Sequence, residues 1–258
     1  AHGVFDPPAR ARARAFWPGP LTLVVPKRAD SPICDLATAG LDSVGLRVPA
    51  PAITRAVLAR LGRPVAAPSA NRSGRISPTS AADVEADLGD RVAVILDAGP
   101  CPVGVESTIV AVLDGTATLL RPGGVPREAI EAVLGHTLAD PARETTAIGP
   151  EGGAPLAPGL LTSHYAPHAR VRLDAVDLKP GEALLTFAGR RLPGGDVGTA
   201  VVDLSPSGDL VEAASRLFRA LRVLDAAGAA TIAVVPLPEE GLGEAICDRL
   251  RRAAAPRA

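Results

Sequence analysis

The chain has 258 residues and 47% hydrophobic content, enough for one large domain or two ordinary ones to bury a core without disulfides, and too apolar for wholesale disorder. A formal net charge of −1 argues against a dedicated nucleic-acid binder, and one Trp, one Tyr and four Phe leave little for base stacking. No apolar run approaches the ~20 residues that cross a bilayer and no charged-then-apolar leader opens the chain, so it reads as soluble and cytoplasmic.

Cys34, Cys101 and Cys247 are too scattered for a disulfide framework or a paired-cysteine metal site, and are expected as small buried hydrophobes. Only Lys27 and Lys179 are lysines, so 25 of the 27 basic residues are arginine. Anion chemistry must then rest on guanidinium forks, backbone amides and metal. There is no methionine, and the chain opens Ala1-His2-Gly3, which reads as a piece missing its natural start.

In chain order, Ala9 to Phe16 reads as the end of a helix stopped by Trp17-Pro18-Gly19-Pro20, and Leu21 to Val25 as a strand. Val44 to Val48 is a second strand. Pro51 starts a helix whose apolar face is Ile53, Val57, Leu58 and Leu61, closed by Gly62. Val65 to Ala67 is expected to be a buried strand leading into a polar loop, after which Thr79 or Ser80 caps a helix through Leu88. Val92 to Leu96, Ser107 to Leu113 and Ala117 to Leu120 read as strands, and Pro126 to Leu134 as a short helix. Residues 139–169, rich in Pro, Gly, Thr and Ala, read as an interdomain linker long enough to act as a lid. Beyond it, strands at Ala183 to Phe187, Ala200 to Leu204 and Thr231 to Val235 alternate with helices over about 209–227 and 242–253, the pattern of a small doubly wound domain. The fold class is α/β: a twisted mixed sheet with helices over 1–138, the linker over 139–169 and a Rossmann-like domain over 170–258.

Familiar phosphate-binding patterns are absent. Neither lysine sits in a Gly-x-x-x-x-Gly-Lys loop, Gly241-Leu242-Gly243 lacks the third glycine of a dinucleotide fingerprint, and there is no Gly-x-Ser-x-Gly elbow. The polar loop carries the hydroxyls of Ser69, Ser73, Ser77 and Thr79, the Asn71 amide and the guanidiniums of Arg63, Arg72 and Arg75. Further polar residues stand at strand ends: Ser43 and Arg47, Glu106-Ser107-Thr108, and Arg121 before Pro122-Gly123-Gly124. Each alone is ordinary. Together they offer a polyanionic ligand bidentate charge, hydroxyl donors and approachable backbone amides.

Five motifs occur in order: Phe16-Trp17-Pro18-Gly19-Pro20-Leu21-Thr22, Val44-Gly45-Leu46-Arg47-Val48-Pro49, Pro68-Ser69-Ala70-Asn71, Glu106-Ser107-Thr108-Ile109-Val110 and Leu120-Arg121-Pro122-Gly123. With Ser163-His164-Tyr165-Ala166-Pro167 in the linker, the chain resembles the threonylcarbamoyl-AMP synthase family, the YrdC-like fold in its two-domain form. The resemblance implies a nucleotidyltransferase that makes threonylcarbamoyl-adenylate and pyrophosphate from L-threonine, bicarbonate and ATP. Magnesium shares the phosphate charge. The product goes to downstream threonylcarbamoyl transferase machinery, for an adenosine beside the anticodon of certain transfer RNAs.

Carried over residue by residue, Arg47, Ala67 (through its backbone) and Ser107 are expected to hold threonine. Ser43, Ser69, Asn71, Ser77, Arg121 and the linker's Tyr165 are expected to meet ATP. The family also has a basic Lys-x-Arg-like segment tens of residues before the position of Phe16, which these 258 residues do not contain. ATP binding by these residues alone is therefore expected to be weak. The rival is a tRNA or double-stranded RNA binding module without catalysis, which near-neutral charge and few aromatics disfavour. Hydrogenase-maturation carbamoyl transfer would need cysteine-rich regions that the sequence does not hold.

Overall fold

Runs of valine, leucine and isoleucine form two separate sheets in the computed structural model of the chain, which describes residues 2–113, 115–140, 164–194 and 198–256. The chain divides into two units, Ala1–Pro68 with Glu106–Leu161 and Ser69–Val105 with Thr162–Ala258.

In the first unit, helix α1 (Pro7–Phe16) begins where the Asp6 carboxylate accepts the Ala9 amide at 2.7 Å, and prolines occupy the first turn, where a missing N–H costs nothing. Strands β1 (Leu21–Pro26), β2 (Ser43–Leu46), β3 (Thr108–Leu113) and β4 (Thr116–Arg121) form a mixed sheet in the order β2-β1-β3-β4. β1 and β3 are parallel, and both flanking pairs are antiparallel. The alternation of side chains splits the apolar residues between two faces. Leu21, Leu23, Val25, Val110 and Val112 share a core with Ala9 of α1 and Ile130 of α4 (Arg127–Leu134). Val24, Ile109, Ala111 and Leu120 make a smaller cluster on the other face. Past Thr108, β3 is thus apolar without interruption because both of its faces are covered.

In the second unit, β5 (Arg170–Arg172), β6 (Ala183–Thr186), β7 (Val201–Asp203) and β8 (Thr231–Val234) form an all-parallel sheet in the order β5-β8-β6-β7. Helix α5 (Leu210–Ala226) buries Ala213, Ala214, Leu217, Phe218, Leu221 and Leu224, a stripe at helical spacing, and packs beside α6 (Leu242–Ala254). The segment 69–105 belongs to this unit. Ile76 and Val105 join its core, and Gly104, at φ +77, lies so close to α5 that a Cβ there would stand 2.3 Å from the Ala214 carbonyl oxygen. Helix α3 (Ala81–Leu88) in this segment starts from a reciprocal capping box between Ser80 and Asp83.

Several expectations are corrected. Val65 to Ala67 and Val92 to Leu96 are irregular and, apart from the half-buried Ile95, exposed rather than strands, Val94 to 73%. No described strand lies beside them, and strand-forming side chains do not make a strand without a ladder to receive the backbone hydrogen bonds. Helix α2 (Ala52–Leu61) forms and ends at Gly62 in the left-handed region, but its apolar face is not buried: Ile53, Val57 and Leu61 are 40 to 49% exposed. Cys34 and Cys101 are exposed and only Cys247 is buried. β5 escaped the sequence reading because three residues alternating Arg-Val-Arg carry too short a signal. Most of the expected linker, 141–163, lies outside the described residues.

Candidate functional site

Strand register gathers four polar side chains at one end of the first unit's sheet. β1 and β3 run parallel with Leu21 beside Thr108, so Thr22 and Ser107 come from the start of both strands, and their hydroxyls lie 2.8 Å apart. β4 returns antiparallel and delivers Arg121 opposite Ile109. The Arg121 guanidinium, 6% exposed, donates from Nη2 to the Ser107 carbonyl at 2.8 Å and from Nε to the same oxygen at 3.3 Å. Nη2 also lies 3.4 Å from the Ser107 hydroxyl. Ser107 is itself buried, so its hydroxyl is aimed by two neighbours rather than by solvent.

Arg47 follows the last residue of β2, whose pairing of Leu46 with Leu23 puts it at the same sheet end as Thr22. It makes no hydrogen bond or ion pair among the described residues. Loss of hydration near its guanidinium lowers its pKa from the ordinary arginine value, although the residue as a whole is exposed. Such a group is a charge held ready for an incoming anion. Ser43 pairs with Pro26 at the other end of β1, about 13 Å from Arg47 at the usual rise per strand residue. Ala67 lies in the exposed stretch 62–69 and makes no backbone hydrogen bond among the described residues.

The backbone around this sheet end is held tightly. Thr108 Oγ1 donates to the Val125 carbonyl at 2.6 Å and accepts the Val125 amide at 2.9 Å. Gly123 touches β3 so closely that a Cβ would lie 2.4 Å from both the Glu106 carbonyl oxygen and the Thr108 nitrogen. Glycine is therefore required in the Pro122-Gly123-Gly124 turn by close approach, and that turn fixes the end of β4 at Arg121.

The remaining expected residues belong to the second unit. Ser69 is exposed. Asn71 donates to the Arg72 and Arg75 carbonyls at 2.8 and 3.1 Å, closing the turn in which Gly74 has φ +76, and its Oδ1 is buried with no partner among the described residues. Ser77 is 3% exposed. The Ala166 amide donates to the Gly74 carbonyl at 3.0 Å, which ties the Tyr165 segment to this loop. Tyr165 is sealed at 1% exposure with φ +61, stacked on Phe218 at 5.4 Å, with the buried Arg249 guanidinium 5.2 Å from its ring centre. That placement is an anchor in the core of the unit. An open cleft of the first unit, lined by Phe5, Arg10, Arg14, Trp17 and Arg28, coincides with none of the expected residues. Two of its arginines are already engaged, Arg10 by the Phe5 carbonyl and Arg28 by Asp30.

Thr22 lies inside a motif that by itself assigns it no role; its hydroxyl contact with Ser107 becomes visible only when β1 and β3 pair across 85 residues of sequence.

A sheet end with a guanidinium uncompensated among the described residues, a buried hydroxyl and a half-buried one has the chemistry to receive a small anion, and comparison with known proteins gives it a class. Residues 3–123 match the family described as "Telomere recombination", and residues 125–255 match "Threonylcarbamoyl-AMP synthase, C-terminal domain". The threonylcarbamoyl-AMP synthases of Pyrococcus abyssi and Bacillus subtilis are 40% and 36% identical. Each alignment covers 95% of this chain, and 73% and 72% of those proteins. The crystal structure of Pyrococcus abyssi Sua5 complexed with L-threonine superposes with a TM-score of 0.82 at 35% identity, over 97% of this chain and 75% of that one. These matches define an enzyme of nucleotidyltransferase type. The chain belongs to the threonylcarbamoyl-AMP synthase family.

Proposed function

We propose that this protein makes threonylcarbamoyl-AMP and pyrophosphate from L-threonine, bicarbonate and ATP, in the cytoplasm, for threonylcarbamoyladenosine modification of transfer RNA. The observation that carries the reading is the Arg47 guanidinium, without a partner among the described residues, at the sheet end that also holds the Thr22 and Ser107 hydroxyls. The L-threonine bound by the Pyrococcus abyssi relative supports it.

In this reading the Arg47 fork takes the threonine carboxylate and the Ser107 hydroxyl, aimed by Arg121 and Thr22, takes a second polar group of the amino acid. Ala67 contributes its backbone. The threonine amine adds to the carbon of bicarbonate with loss of water, or to carbon dioxide formed from it with loss of a proton from the amine, giving a carbamate. A carbamate oxygen then forms a bond to the α-phosphorus of ATP as the bond to the β-phosphate oxygen breaks, and pyrophosphate leaves. The residues need supply no covalent help; positioning and charge neutralisation do the work. Ser43 and Arg121, with Ser69, Asn71 and Ser77, are the proposed ATP contacts, and Tyr165, sealed in the core of its unit, is proposed to act through the loop that the Ala166 amide ties at the Gly74 carbonyl.

Among the described residues no three His, Cys, Asp or Glu side chains are placed to hold a metal. A magnesium ion would be held chiefly by the nucleotide's own phosphates, with the Ser and Thr hydroxyls as the protein ligands available to it, and would neutralise part of the triphosphate charge. The product is proposed to pass to a transferase acting on transfer RNA.

The test is pyrophosphate release from ATP and bicarbonate, with and without L-threonine, on these 258 residues and on a form carrying the family's preceding basic segment. Threonine-dependent release supports the reading. Release that ignores threonine, or none from either form, overturns it.

A further inference from the structure

Besides the Ala166 amide on the Gly74 carbonyl and Ile76 in the core, a side chain from a distant helix ties the loop carrying Ser69, Asn71 and Ser77 to the rest of its unit. Arg222, on α5 and 23% exposed, donates from Nη2 to the Ile76 carbonyl at 2.7 Å, the carbonyl directly before Ser77. The same nitrogen donates to Asp87 Oδ2 at 2.8 Å, Nη1 lies 3.4 Å from Asp87 Oδ1, and Nε stands 3.8 Å from Asp83 Oδ1. Asp83 in turn receives the Thr79 and Ser80 amides on Oδ2 at 2.9 and 3.0 Å. One guanidinium thus reaches both ends of the stretch 76–87, and Ser77 lies between the two anchors. Arg72 Nε adds a bond to the Asp87 carbonyl at 3.3 Å from the far side of the turn.

An arginine at this place is poorly explained as a surface charge. Both acids it meets are mostly covered, with Asp83 at 23% and Asp87 at 17% exposure. Its bond to a main-chain carbonyl serves loop position rather than charge balance. A lysine, shorter and with its donors at a single point, could meet Asp87 but could not also reach the Ile76 carbonyl and span back to Asp83 as the guanidinium does.

We infer that Arg222 is a positioning residue for the nucleotide loop, so that the parallel-sheet unit holds Ser77 and its neighbours in place for ATP. This rests on the function proposed above. It gives the C-terminal residues a part in the chemistry, acting through Ile76 and α3 rather than by touching substrate.

The experiment uses the full-length protein and its R222M and R222K variants, R222M keeping the apolar stem that packs on the unit. Three quantities are read: calorimetric ATP and L-threonine affinity, melting temperature, and the rate of tryptic cleavage after Arg72 and Arg75. The expected result for R222M is faster cleavage at both sites and an ATP Kd raised about tenfold, as for loss of one charge-assisted hydrogen bond, with threonine affinity unchanged. R222K restores the melting temperature but not the ATP affinity. An R222M protein that melts early yet keeps wild-type ATP affinity makes Arg222 a structural tie and overturns the inference, as does a wild type that binds no ATP. A wild type that binds ATP but releases no pyrophosphate with threonine, while R222M still loses ATP affinity, leaves this inference standing and removes the proposed reaction instead.

Discussion

Arg47 carries a positive charge that nothing among the described residues balances, and it stands at the sheet end where Ser107 is fixed by Arg121 and Thr22. Replacing it with alanine is expected to raise the threonine KM roughly 10- to 100-fold, the worth of a charge-assisted bond, while ATP binding is little changed. Arg47→Lys recovers only part of the loss, because a point charge does not reproduce a bidentate fork; steady-state kinetics on the two variants decides. Arg47 and Ser107 were legible because their motifs carry them, whereas Thr22 and Arg222 were not, their roles arising from partners 85 and 146 residues away in sequence. Tyr165 shows the limit of motif reading most clearly. Sequence placed it in a lid, and the structure packs it between Phe218 and Arg249. Tyr165→Ala should therefore destabilise the second unit by about 3–5 kcal/mol in urea unfolding, the usual cost of emptying a buried aromatic site. A loss near zero would show that the ring is not held in that core.

Elements with a strong period were read correctly, and those whose existence depends on a partner were not. β1, β3, β4, α5 and α6 follow their apolar patterns because each finds a neighbour to cover it. Val65 to Ala67 and Val92 to Leu96 have equal strand propensity but no ladder among the described residues, so they stay irregular. The same logic explains α2, whose sequence predicts an apolar face and whose structure leaves it exposed. Close approach between elements is the other hidden constraint. Gly123 admits no Cβ against Glu106 and Thr108, so Gly123→Ala must push the turn away from β3 and displace Arg121. The expected cost is about 1–3 kcal/mol of stability, as for overpacking, together with a raised threonine KM; unfolding curves and kinetics on the one variant test both.

At the scale of the molecule, the grouping of 69–105 with the C-terminal residues was invisible in sequence, since it depends on Gly104 meeting α5 and Arg222 meeting Ile76. Acid should loosen that grouping. Burial pushes the Asp83 carboxyl up, but amide hydrogen bonds from Thr79 and Ser80 and the charge of Arg222 outweigh it and hold the pKa below the ordinary aspartate value. Asp225 behaves likewise: burial raises it, and the His168 and Ala169 amides bring it down. Glu182 is lowered chiefly by its hydrogen bond with Arg172. Groups depressed in the folded state bind fewer protons there than when unfolded. Their stabilisation is fully present above the ordinary carboxylate range of about 4 and is lost as pH falls through the lower folded values. Thermal unfolding from pH 7 down to pH 3 should show the second unit losing stability below about pH 4, and a flat profile would contradict these three attachments.

The central claim is that the sheet end around Arg47 receives threonine for adenylation of its carbamate. It is tested most directly by pyrophosphate release from ATP and bicarbonate as threonine is titrated, comparing the wild type with Arg47→Ala in the form that carries the family's basic segment. The account predicts saturable, threonine-dependent release whose half-saturation moves to much higher threonine in the variant. Release with the same threonine dependence in both proteins would contradict it.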